Sequence, residues 1–199
     1  MSRALLHSRT ALRAAVAATA LAVTAGMATT ASAVQGDQPG PSKSLKTVSV
    51  QGAEGLSVDT AASKDTKAVI ENNKTLAAAA ANVCGSGYTI STGAWRLPTH
   101  TSVYGTLYTW TNGTTTGSRI YDKPICAVFF NDSGLTRYMG VRLSSNYTAD
   151  PDKEDFGAYS QYAGPVHQKR GYCGTAYAYM ENSNGKVMVD ALRTVGSCN

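Results

Sequence analysis

ICAVFFNDSGLTRYMGVRLS, residues 125–144, reads as two strands and the turn that joins them. Ile125 to Phe130 is a continuous apolar run of strand length, as a buried strand requires. Asn131-Asp132-Ser133-Gly134 concentrates residues that tolerate tight turns. From Thr136 to Ser144 the pattern becomes a two-residue alternation. Met139, Val141 and Leu143 share one face, and Tyr138 and Arg142 the other.

Working outward, further strand candidates follow at short intervals, each bounded by turn residues. Upstream lie Tyr88 to Ser91 and Ser102 to Trp110, the latter ending in the turn signal Asn112-Gly113. Downstream, a polar loop (Asn146 to Asp155) precedes Gly157 to Ala163 and Val166 to Lys169, interrupted by Gly164-Pro165. Tyr172 to Met180 and Lys186 to Arg193 form a hairpin candidate across Asn182-Ser183-Asn184-Gly185. No sustained helical period appears between Cys84 and Cys198. The expected fold class is all-β, a small disulfide-braced antiparallel sandwich or barrel.

Composition changes abruptly at Val83-Cys84-Gly85: all 11 tyrosines, both tryptophans and all 3 phenylalanines follow it. The expected β domain is therefore residues 83–199. Its four cysteines, Cys84, Cys126, Cys173 and Cys198, form an even set that suits two disulfides in an exported chain. Three pairings are open; Cys84–Cys126 with Cys173–Cys198 is preferred because it closes two compact loops. No Cys-x-x-Cys spacing supports a metal site, and no cofactor is implied.

The N-terminal 33 residues read as an export signal. Arg3, Arg9 and Arg13 precede an alanine-rich apolar stretch (about Ala14 to Met27), and Ala31-Ser32-Ala33 offers small residues for cleavage before Val34. The apolar stretch is short of the roughly 20 residues that span a bilayer, so no span is expected in the mature chain. The full chain carries 18 basic and 13 acidic residues, net +5. Removing three arginines with the signal leaves 15 against 13, a net +2. With no basic stripe, a nucleic-acid partner is not expected. Residues 34–82 read as a linker or pro-segment, largely disordered, with either a short helix at about 63–82 or a plain spacer.

The chemistry-bearing motifs are weak. Asn131-Asp132-Ser133-Gly134 resembles a serine-protease nucleophile segment, but His100 lies too near in sequence for that two-barrel fold and Leu135 stands where glycine is needed. The segment Asp150 to Asp155 holds four carboxylates without the EF-hand pattern and reads as a solvated loop. Asn112-Gly113-Thr114, Asn131-Asp132-Ser133 and Asn146-Tyr147-Thr148 fit the glycosylation sequon and read as turns. The aromatic series Tyr104, Tyr108 and Trp110 with Tyr138 is the candidate ligand-facing set, since rings on a β face stack against sugars; core packing is the competing reading. Pattern alone leaves open whether the Tyr108 face or the Leu107 face is core.

Val83-Cys84-Gly85-Ser86-Gly87-Tyr88, Cys126 ending an apolar strand, Tyr162-Ala163-Gly164-Pro165-Val166, Cys173 soon after it and Cys198 at the C terminus together resemble the spore-associated protein A family of streptomycetes and related actinobacteria. The resemblance covers about residues 83–199. It implies a small exported protein of spores or aerial growth, with no catalytic residues to carry over and no ligand. The expected function is thus a secreted, non-enzymatic surface or spore-associated structural protein, located extracellularly or on the spore or cell wall. Its expected partners are spore coat, cell wall or polysaccharide. A carbohydrate-binding module is the first alternative and an extracellular proteinase inhibitor the second.

Overall fold

The computed structural model describes residues 44–99 and 102–198. The export signal, the start of the linker and His100 lie outside the described residues. Among the described residues ten strands and two helices follow one another. The first are β1 (Thr47–Ser49), β2 (Ser57–Asp59), α1 (Thr66–Asn72) and α2 (Lys74–Cys84). Then come β3 (Ile90–Leu97), β4 (Gly105–Thr111), β5 (Ile125–Asn131) and β6 (Arg137–Ser144). The last four are β7 (Lys153–Tyr159), β8 (Tyr162–Gln168), β9 (Thr175–Glu181) and β10 (Val187–Thr194).

The strands form a six-stranded sheet, ordered β1-β2-β3-β4-β5-β8, and a four-stranded sheet, ordered β10-β9-β6-β7. Every pairing is antiparallel except β2 with β3. The fold is all-β: a sandwich of two sheets, with α1 and α2 as a third layer on the outside of the larger one. The inter-sheet core takes Leu107, Ile125, Ala127 and Phe129 from the large sheet. Met139, Val141, Leu143, Ala176, Ala178 and Met180 meet them from the small one.

A second core lies on the opposite face of the large sheet. There Ala94, Tyr108, Trp110, Val128 and Phe130 pack beneath Ile70, Ala77, Ala80, Ala81 and Cys84. Residues 77, 80, 81 and 84 share one helical face, and three of the four are alanine. Small side chains let the helix axis approach the rings closely. Asn73, in non-helical geometry, separates the two helices, and its Oδ1 accepts from the Leu76 N–H at 3.1 Å as the N-cap of α2.

Two expectations are corrected here. Residues 44–82 are not a linker: β1 and β2 extend the large sheet, α1 and α2 cover its face, and the domain begins well before Val83. The helix expected at about 63–82 is present as two pieces, so the spacer alternative falls. In addition, β4 is buried on both faces, Leu107 toward one core and Tyr108 and Trp110 toward the other. A central strand covered on both sides has no solvent face to choose.

Smaller corrections concern the strands after residue 145. The break falls at Ser160–Gln161, and Gly164-Pro165, joined by a cis peptide, lies inside β8. The preferred cystines are present: Cys84–Cys126 ties α2 to β5, and Cys173–Cys198 ties the segment before β9 to the C terminus. Among the described residues no helix is long and apolar enough to cross a membrane.

Candidate functional site

The small sheet has one face in the inter-sheet core, and by alternation its other face points outward. Along β6 the outward positions are Tyr138, Gly140 and Arg142, and along β9 they are Tyr177, Tyr179 and Glu181. β7 contributes Glu154 and Phe156, and β10 contributes Asp190 and Leu192. The register sets Gly140 between Tyr179 and Phe156, and Arg142 between Tyr177 and Glu154.

Gly140 is what lets the face flatten. A Cβ at that position would stand 2.1 Å from Phe156 Cδ1, so the ring lies where a side chain would be. The Phe156 ring centroid is then 6.5 Å from that of Tyr177, and Tyr177 stacks with Tyr179 at 6.3 Å and 25°. The Arg142 guanidinium bridges the row, 5.6 Å from the Phe156 centroid and 5.7 Å from that of Tyr177. Its Nε donates to Glu154 Oε2 at 2.6 Å, which fixes the fork in place. Arg142, Phe156, Tyr177 and Tyr179, with Tyr138, Ser144, Glu181 and Leu192, line an open groove of about 470 Å³.

The tyrosyl hydroxyls are held by acids. Tyr179 donates to Glu181 Oε1 at 2.5 Å, and that bond pushes the phenol up to about 12. Burial raises Tyr177, and Asp190 on the neighbouring strand raises it further. Tyr138 and Leu192 remain 50 % and 60 % exposed at the margins. A contiguous apolar patch, unlike a single exposed side chain, marks a contact surface. What the face can do chemically is bind: it offers ring faces, carboxylates and one tethered cation.

The candidate aromatics expected to face a ligand do not form one surface. Tyr108 and Trp110 are fully buried under α2, and Tyr104 packs partly buried against the inter-sheet core on the opposite side of β4. Only Tyr138 reaches an exposed aromatic face. Its neighbours Phe156, Tyr177 and Tyr179 were missed, although the spacing Tyr177-x-Tyr179-x-Glu181 with Ala176, Ala178 and Met180 between carries the signal of one aromatic face and one packed face.

The other motifs resolve into structure. Ser133 Oγ donates to Asn131 Oδ1 at 2.7 Å within the turn from β5 to β6. The Asp150–Asp155 carboxylates diverge: Asp150 pairs with Arg170, Glu154 with Arg142, and Asp155 accepts from the Tyr159 hydroxyl and the Gly164 N–H. The expected loop is in fact partly strand, since β7 begins at Lys153. Among the described residues, no three His, Cys, Asp or Glu side chains gather as a metal ion would need. A larger groove, about 780 Å³, runs between α2 and the turns at Gly52–Gly55 and Gly85–Thr89, but half of its lining is alanine and glycine and it holds one aromatic ring, Tyr88.

No family model, no curated protein and no solved structure matches the chain.

Proposed function

We propose that this chain is a secreted, non-enzymatic surface module that holds a glycan on the outer face of β6, β7, β9 and β10. The observation that carries the reading is the row Tyr138, Phe156, Tyr177 and Tyr179, brought from three strands to one exposed face. Sugar rings have apolar C–H faces that stack on aromatics and hydroxyls that bond carboxylates, and the face offers both in one groove. The export signal and the paired cysteines support an extracellular place of work. Resemblance to the spore-associated family supports the spore or cell wall as the location, where a glycan contact would anchor the protein as a coat component.

Co-sedimentation with insoluble glycans (chitin, cellulose, isolated cell wall) tests the reading. The protein is expected to pellet with at least one of them. Tyr177→Ala should weaken retention about ten-fold, the equivalent of roughly 1.4 kcal/mol. Gly140→Ala should weaken it too, by driving the Phe156 ring out of line, while circular dichroism stays native. Retention on none of the three, or undiminished retention in both variants, would overturn the assignment.

A further inference from the structure

The hydrogen-bonding inventory of the aromatic face restricts which glycan it takes. The Tyr179 proton is committed to Glu181, the Tyr177 hydroxyl faces Asp190, and the Arg142 Nε–H is committed to Glu154. What the phenols and carboxylates turn outward is therefore mainly lone pairs, while Arg142 keeps its Nη N–H groups as donors. On the outward positions of the sheet three carboxylates accompany the Arg142 guanidinium, a formal −2: Glu181 lines the groove, and Glu154 and Asp190 flank it beside Arg142 and Tyr177. Arg193 folds back onto the Leu192 carbonyl at 2.8 Å, and neither it nor Lys186 lines the groove. The chain as a whole is net +5, and +2 without the export signal. An acidic aromatic face on a basic protein is a local feature, and it complements a ligand that brings donors and positive charge.

We propose that the face selects an amino-sugar polymer bearing free, protonated amines, a de-N-acetylated glucosamine-type glycan, over its N-acetylated counterpart and over acidic polysaccharides. The inference rests on the glycan-binding reading. An ammonium group can donate to Glu181 or Asp190 while the adjacent sugar face lies on Tyr177 or Tyr179, and ring faces themselves attract cations. Overall charge works against this choice, because a net positive protein is repelled by a polycation at long range. A preference for the amine polymer must then originate in the local face.

The test compares retention of the full mature protein on matched beads of poly-glucosamine, poly-N-acetylglucosamine and polygalacturonate. The buffer lies between about pH 5 and 6, where ordinary carboxylates are ionised. Retention is expected to be about five-fold stronger on the amine polymer than on the acetylated one, as two partly exposed ion pairs allow. Added salt should shrink that ratio. In the double variant Glu181→Gln, Asp190→Asn the ratio should fall toward one. Equal retention of the wild type on both sugars, a ratio unmoved by salt or by the double variant, or stronger retention on polygalacturonate would overturn the selectivity and leave glycan binding standing. Retention on none of these beads or on the insoluble glycans above would overturn both.

Discussion

Tyr108 shows how much a single residue can say and conceal. Its hydroxyl and the Trp110 Nε1–H are buried with no hydrogen-bond partner among the described residues, and burial holds the phenol far above its ordinary pKa. An unpaired buried donor costs rather than stabilises, and an apolar replacement of the same shape removes the cost. Tyr108→Phe should therefore leave the thermal midpoint unchanged or raise it, by up to about 1 kcal/mol of stability. A fall in the midpoint on calorimetry would show that the hydroxyl has a partner. The two-residue alternation in β4 was legible in the sequence, and so was the sharing of one face by Tyr108 and Trp110. Which side of the sheet that face met was not legible, because α2, supplied from upstream of β3, covers it. By contrast, Met139, Val141 and Leu143 against Tyr138 and Arg142 were read correctly, since β6 has one covered face and one open one.

Among elements, the segment from β1 to α2 departs furthest from the sequence reading. Its polar composition and short apolar runs are those of a linker, yet it is tied down at several points. Val58 and Ile70 are buried, the Thr66 hydroxyl accepts from the Ala94 N–H at 3.2 Å, and buried Asp59 accepts from the Tyr172 hydroxyl. A three-residue strand such as β2 leaves almost no periodic signal, and an alanine-rich helix face looks like spacer until the rings it covers are known. The strands β5 and β6 were legible because each is long and either continuously apolar or alternating. A chain that starts at Val83 should expose Ala94, Tyr108, Trp110, Val128 and Phe130 together. It is expected to aggregate or to bind a hydrophobic dye strongly on refolding, whereas the chain from Ser44 stays soluble. A soluble, cooperatively folding chain from Val83 would refute the integral role of the helical layer.

For the molecule as a whole, the loops at one end of the sandwich are held by a charged cluster. Arg170 forms a two-pronged ion pair with Asp150, at 2.5 and 2.9 Å, and its guanidinium lies 3.9 Å from the Tyr147 centroid. The Tyr147 hydroxyl donates to Asp122 at 2.6 Å. The Arg170 partner holds the Asp150 carboxyl below its usual range. Burial alone would raise Asp122, but the bonds from Tyr147 and the Arg119 N–H, with the charges of Arg170 and Arg119, outweigh it and lower its pKa. Depressed carboxylates stabilise the fold fully above their ordinary value near 4, and that contribution is lost as pH falls through the folded values. The thermal midpoint should thus be flat above about pH 5 and drop below about pH 4. Asp150→Asn should lower it at neutral pH and make the acid drop shallower; an identical acid limb in the variant would contradict the cluster's role.

The aromatic face itself was legible at one of its four rings: Tyr138 was named, while Phe156, Tyr177 and Tyr179 needed the pairing of β6 with β7 and β9 before they could be seen as its neighbours. Glycan binding at this face is read most directly by a backbone-amide NMR titration of the mature protein with a soluble glucosamine-type oligosaccharide. Saturating shifts should be confined to β6, β7, β9 and β10, centred on Gly140, Arg142, Tyr177 and Tyr179. Saturating shifts centred instead on the groove beside α2, or none on the small sheet at any concentration, would contradict it.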